Sequence, residues 1–261
     1  MDLGSVIGLV LIVFGVFVGA IMKHVSPGFL VSIPAALLIV IVASCGATLL
    51  SFTFKDSTNV FKAIMKSILP GAPVDKSVAI KTIVEMATRS RRDGILSLES
   101  ELQKVEDRFL KKGLQMAIDG VDPESVQEVL KTDIKAMKAR HKVGADWCTT
   151  MGVFAPTFGI IGAVFGLIAT MKYLDNQTEL AKGISAAFVA TFWGVFWANG
   201  LFLPFGNKLK RLSAEEVEYR EMLRGGVMMI QSGTNPRVVE ETLLGYLPPS
   251  EQEGFSASSG A

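Results

Sequence analysis

Five residues with polar or backbone-breaking chemistry stand out inside the last two of four apolar stretches: Pro156, Thr157, Thr191, Asn199 and Pro204. Each proline removes a backbone donor and obstructs the regular helix, so nearby carbonyl groups are freed for another partner. Thr157 and Thr191 offer hydroxyls at the same depth, and Asn199 offers an amide. Two readings follow. Threonines within a helix commonly bond back to their own backbone, which needs no function. Alternatively, the hydroxyls and freed carbonyls border a narrow polar path that could hydrate an ion. Such a path could not relay a proton through side-chain ionisation, because none of these groups titrates near neutrality. A proton moving there needs an acid from a partner.

Other chemistries find no support in the pattern. Cys45 and Cys148 sit far apart in apolar blocks, as small hydrophobes rather than a disulfide framework. His24 and His141 have no second His or Cys at ligand spacing, so no metal site is expected. No nucleophile–base pair or phosphate loop occurs, so neither catalytic residues nor a cofactor is expected and the chain reads as a non-enzyme. The net charge of +1 gives no reason to expect a nucleic-acid partner.

The elements that must hold these residues are four apolar runs. Of 261 residues, 49% are hydrophobic and yet 20% are charged, and the mean hydropathy is +0.41. Such a balance implies apolar blocks separated by strongly polar ones. The blocks are Leu3–Met22, 29–54, 147–171 and 184–205, and none contains Asp, Glu, Lys or Arg. About 20 helical residues cover the roughly 30 Å hydrocarbon core. The first run is read as half of a membrane hairpin rather than a cleaved leader, because only Asp2 precedes it and the next apolar run follows closely.

Basic residues orient the spans. Seventeen Lys and Arg lie between residues 55 and 142, and six lie after the fourth run. The short connections hold only Lys23, Lys172 and Lys182. The positive-inside rule therefore makes both termini and residues 55–146 cytoplasmic.

The cytoplasmic segments read as helical. A break is expected at Pro70-Gly71-Ala72-Pro73, followed by a helix that Asp75 caps. A second helical stretch is expected after Gly94, through Leu98, Leu102, Val105 and Leu110. Asp122-Pro123-Glu124 starts a third, which runs without a breaker into the third span. Residues 208–230 extend the fourth span, and Asn235-Pro236 starts a short helix. The expected fold is all-α: an integral membrane protein with four transmembrane helices and a helical cytoplasmic domain extending spans three and four. Its divisions are a hairpin at 1–54, a cytoplasmic domain at 55–146, a second hairpin at 147–207 and C-terminal helices at 208–261. Gly4, Gly8, Gly15 and Gly19 in span one, and Gly152, Gly159, Gly162 and Gly166 in span three, suggest close helix packing, intramolecular first and oligomeric second.

Four segments together resemble the MotA/PomA family of flagellar stator subunits. They are APTFGIIGAVFGL at 155–167, ISAAFVATFWG at 184–194, PFGNKLK at 204–210 and RRDGILSLE at 91–99, and the resemblance covers residues 1–250. It implies a ring of A subunits, five in number, around two copies of a peptidoglycan-anchored MotB-like partner that supplies a membrane aspartate. It also implies a place in the bacterial inner membrane and a contact with the torque protein of the rotor C-ring. In this chain Pro156 matches the proline beside that aspartate, Thr191 a hydroxyl facing the ion path, and Pro204 a proline tied to conformational coupling. Thr157 and Ala163 belong to the same path. Arg91 and Glu99 match the rotor-contact pair, with Arg89 and Arg92 close enough to share the role. Sodium-using relatives tend to carry threonine where this chain has Ala163, so the transported ion is expected to be H+ rather than Na+. A TolQ/ExbB-like energy-transducing subunit is the alternative. Such relatives usually place one span before the cytoplasmic domain, whereas two precede it here.

Overall fold

Apolar patterning resolves into helices in the computed structural model, which describes residues 3–68 and 75–259 and contains no strand among them. The expected break at Pro70, Gly71, Ala72 and Pro73 lies outside the described residues. Four helices are long and apolar enough to cross a membrane. The chain divides into two compact units, Met1–Gly71 with His141–Leu212, and Ala72–Arg140 with Ser213–Ala261.

The first unit contains α1 (Leu3–Met22), α2 (Pro27–Val31), α3 (Pro34–Ser51) and α4 (Phe54–Ile68), with parts of three later helices. The run expected as one span over 29–54 is thus three elements. Pro34 is the cause. Its ring crowds the preceding residue out of the helical region, and Ile33 sits at φ −110°, ψ 79°. Ser26 opens α2 by accepting from the Phe29 N–H, and the Ser32 hydroxyl closes it on the Phe29 carbonyl at 2.8 Å. α1 has no buried residue, while α3 buries Ala36, Val40, Ser44 and Thr48.

The third span belongs to α7 (Pro123–Thr170), one unbroken helix as expected from the absence of breakers. α8 (Gln177–Trp197) begins earlier than the expected 184, because Asn176 caps it through the N–H groups of Thr178 and Glu179. A π segment, Ala198–Phe202, joins α8 to α9 (Leu203–Gln231). Trp193 buries its ring and donates from Nε1 to the Leu30 carbonyl at 2.8 Å, which ties α8 to the end of α2.

In the second unit α5 (Lys76–Asp93), α6 (Arg108–Ile118), the first part of α7, the last part of α9 and α10 (Pro236–Leu244) share one core; α11 (Pro249–Ser259) adds Phe255 to it. Ile80, Ile83, Leu98, Leu114, Leu130, Leu223 and Leu243 are fully enclosed in it. Each such side chain contributes about 1.5–3 kcal/mol of burial. Aspartates start the helices: Asp75 accepts from the N–H groups of Ser77 and Val78, and Asp107 from those of Phe109 and Leu110. The helical stretch expected after Gly94, through Leu98, Leu102, Val105 and Leu110, consists of two 3-10 turns, Ile95–Leu98 and Leu102–Lys104, followed by α6. Gly94 at φ 83° ends α5, and the Asp107 cap restarts the chain only at Arg108.

Candidate functional site

The third and fourth spans meet along a seam of small residues. A Cβ added to Gly159 would lie 3.1 Å from the Ala190 carbonyl oxygen and 3.2 Å from the Cα of Gly194. One added to Gly194 would lie 2.8 Å from the Ala155 carbonyl oxygen and 3.2 Å from the Cα of Pro156. Further along, Gly166 faces the backbone of Gly183 and Ala187, and Gly162 faces Ala190. The backbones of α7 and α8 therefore touch with almost no side chain between them, the closest approach that helices in lipid can make.

This seam brings Pro156 and Thr191 to one level, since Gly159 abuts the backbone of Thr191 and Gly194 that of Pro156. Pro156 has no N–H to offer the carbonyl of Gly152, four residues earlier. Pro156 and Ala163 are half-buried, seven residues apart on one side of α7, while Thr157 is exposed. Both threonine hydroxyls bond to their own helix, Thr157 to the Phe154 carbonyl at 2.6 Å and Thr191 to the Ala187 carbonyl at 3.1 Å. Asn199 does the same with the Val195 carbonyl at 3.2 Å. Each oxygen keeps lone pairs for an ion or water, but none supplies a charge.

Toward the other end of the spans, Pro204 is exposed just past the π segment. Its ring obstructs the carbonyl four residues back, at Gly200, and the wider π turn accommodates it: the Leu203 N–H reaches the Ala198 carbonyl, five residues back. The preceding turn carries Phe192, Trp193, Phe196 and Trp197, whose rings stack or meet edge-on at 5.3–6.3 Å.

In the second unit, Arg91 and Glu99 are exposed, and neither enters an ion pair with a described residue. Arg89 and Arg92 differ from them. Arg89 pairs with Glu101, which also holds Lys104 at 2.8 Å. The Lys104 hydrogen bond and both neighbouring positive charges hold the Glu101 carboxyl below its usual range. Arg92 grips the adjacent Asp93 through two nitrogens, at 3.0 and 2.8 Å. The structure thus brings Pro156 and Thr191 together, gives Arg89 and Arg92 internal partners, and leaves Arg91 and Glu99 facing outward.

A model of the MotA/TolQ/ExbB proton channel family matches residues 101–222, the stretch from the Glu101 turn to α9. Motility protein A of Bacillus subtilis (strain 168) is 39% identical, with 100% of this chain and 96% of that protein covered. Motility protein A of Helicobacter pylori (strain ATCC 700392 / 26695) is 36% identical, covering 96% and 97%. The flagellar MotAB stator complex from Bacillus subtilis superposes with a TM-score of 0.90 at 39% identity, covering 97% of this chain and 99% of that one. The C. jejuni MotAB structure gives 0.89 at 33% identity, covering 95% and 97%. The chain belongs to the MotA/TolQ/ExbB proton channel family, alongside the motility A proteins.

Among the described residues, four buried polar side chains, Ser44, Thr48, Ser57 and Thr170, escaped the sequence reading, and two of them lie on α3. Ser44 and Thr48 are fully enclosed on α3, and Thr48 bonds to the Ser44 carbonyl at 2.8 Å and to Met151 Sδ at 3.4 Å. They lie in an apolar run where polar side chains carry no burial signal of their own, so only the neighbouring helix reveals them.

Proposed function

We propose that this chain is the A-type subunit of a bacterial flagellar stator, set in the inner membrane. It couples proton flow, through a complex with a B-type partner, to torque on the rotor. One observation carries the reading: the chain aligns end to end with motility A proteins, and its acid-free glycine seam sets Pro156 and Thr191 side by side. The energy-transducing alternative is not favoured, because the full-length relatives are motility proteins.

The seam can border an ion's path but cannot itself hold and release a proton. The partner's membrane carboxylate therefore carries the proton next to Pro156 and Thr191. Neutralising that carboxylate removes a charge from a low-dielectric site, so its preferred contacts with the A-subunit ring change. Five A subunits surrounding two B subunits give those contacts a rotary sequence. α7 and α9 are continuous with the cytoplasmic helices, and Pro204 lies where α9 begins. The positive-inside charge pattern supports a cytoplasmic location for both termini and residues 55–146. Arg91 and Glu99 then engage charged groups on the rotor, since exposed ion pairs supply orientation and fast exchange rather than tight binding.

The test is complementation. The chain, co-expressed with a single-span partner bearing a membrane Asp and a peptidoglycan-binding domain, restores swimming to a strain lacking its own A subunit. Replacing that partner Asp by Asn abolishes both swimming and proton flux while the complex still co-purifies. Proton conduction by the chain alone in liposomes overturns the reading.

A further inference from the structure

α4 has two working surfaces, and the ion path uses neither. One is spent inside the unit: Ser57 and Val60 are buried, and Trp147 donates from Nε1 to the Ser57 hydroxyl at 3.0 Å. Around this bond Val60 packs with Trp147, Cys148 and Met151, and with Phe202, Phe205 and Leu209 beside them. α4 is thereby fixed at the ends of the third and fourth spans, where the basic flanks Arg140, Lys142, Lys208 and Lys210 begin.

The other surface is largely open, although the Phe61 ring also meets Trp147 edge-on at 5.7 Å. Phe54 is 77% exposed, Phe61 60% and Met65 57%, and their spacing of seven and four places them in one stripe. Lys55 and Lys62, both exposed, follow one residue behind and form a second stripe about 100° further round. The helix's acid, Asp56, lies about 200° from Phe54 and accepts from the Thr53 hydroxyl at 2.6 Å. The outward side is therefore apolar along one stripe and basic along the next. The last turn of α3 likewise exposes Leu49 and Leu50, five and four residues before Phe54.

We propose that α4 is an anionic-phospholipid site: Phe54, Phe61 and Met65 enter the acyl boundary, and Lys55 and Lys62 hold headgroup phosphates. A helix with an apolar stripe flanked by lysines lies in the plane of a bilayer surface, drawn by both terms at once. A second copy of this chain fits the surface poorly, since two such faces would oppose lysine to lysine with Asp56 turned away. The orientation proposed above supplies only the leaflet, the cytoplasmic one; the lipid class follows from α4 itself.

A photoreactive benzophenone amino acid at position 61 of the full chain, illuminated in native membranes, identifies the occupant. Phospholipid adducts enriched in phosphatidylglycerol over the bulk membrane are expected. In K55Q/K62Q that enrichment falls by about five-fold per lysine, while total lipid adduct stays level. The K23Q/K172Q control keeps the enrichment. Adducts to a second protein chain, or a phosphatidylglycerol share unchanged by K55Q/K62Q, overturn the proposal. Lipid adducts in a complex that fails to drive swimming would refute the stator reading and leave this site standing.

Discussion

Arg89, Arg91 and Arg92 read alike in the sequence, yet folding gives them different work. Arg89 is bound to Glu101 and Arg92 to Asp93, whereas Arg91 and Glu99 have no described partner. Reversing both charges, R91E with E99R, should abolish torque while membrane assembly stays normal; swimming assays beside membrane immunoblots check this. Glu101 predicts a different outcome. Its carboxyl is held below the ordinary 4.5, so its pairing supports the fold above that pH and is lost as pH falls through the lowered value. E101Q should therefore lower the melting temperature at neutral pH and flatten its decline on the acid side, by circular dichroism of the full chain in detergent. Residue types were legible beforehand because charge and exposure follow from helical spacing. Partners were not, because Glu101 reaches Arg89 only after Gly94 turns the chain.

At the level of elements, repeated glycines in two spans proved to mean two different things. In α7, Gly159 and Gly166 touch α8 backbone, but a Cβ on Gly8, Gly15 or Gly19 of α1 meets nothing within 4 Å. The close packing expected at the glycines of span one is thus not seen at Gly8, Gly15 or Gly19, and α1 packs through other side chains, with Phe17 meeting Phe196 edge-on at 6.1 Å. G194A should cost about 1–3 kcal/mol by forcing the seam apart. G15A should be neutral or stabilising by up to about 1 kcal/mol, as alanine favours a helix. Thermal denaturation of both variants in one detergent decides it. P204A should restore a donor for the Gly200 carbonyl and let the π turn relax, leaving melting unchanged or raised while swimming falls. The Ile33-Pro34 break carried a local signal, outweighed by the apolar run around it. The π turn carried a weaker one, because a proline near a span's end fits a kink, a bulge or a stop equally well.

For the whole molecule, span number and helix type were legible from composition and charge segregation. Burial on α3 was not, because it depends on which helix comes to rest against it. Ion choice is a property of the assembled complex. On the path proposed above, alanine at 163 offers no hydroxyl, and sodium needs several oxygens to replace its hydration shell. Swimming speed at fixed pH should stay constant when sodium is replaced by potassium; a loss would reverse the assignment. The glycine seam also governs how the protein responds to heat. Glycine and alanine surrender no side-chain rotamer freedom on packing, whereas buried methionine and leucine surrender up to about 1–2 kcal/mol each. The α7–α8 contact therefore has little conformational freedom to regain on warming. The methionine- and leucine-rich core of the second unit should loosen first, and the spacing between these two spans should be the last to change.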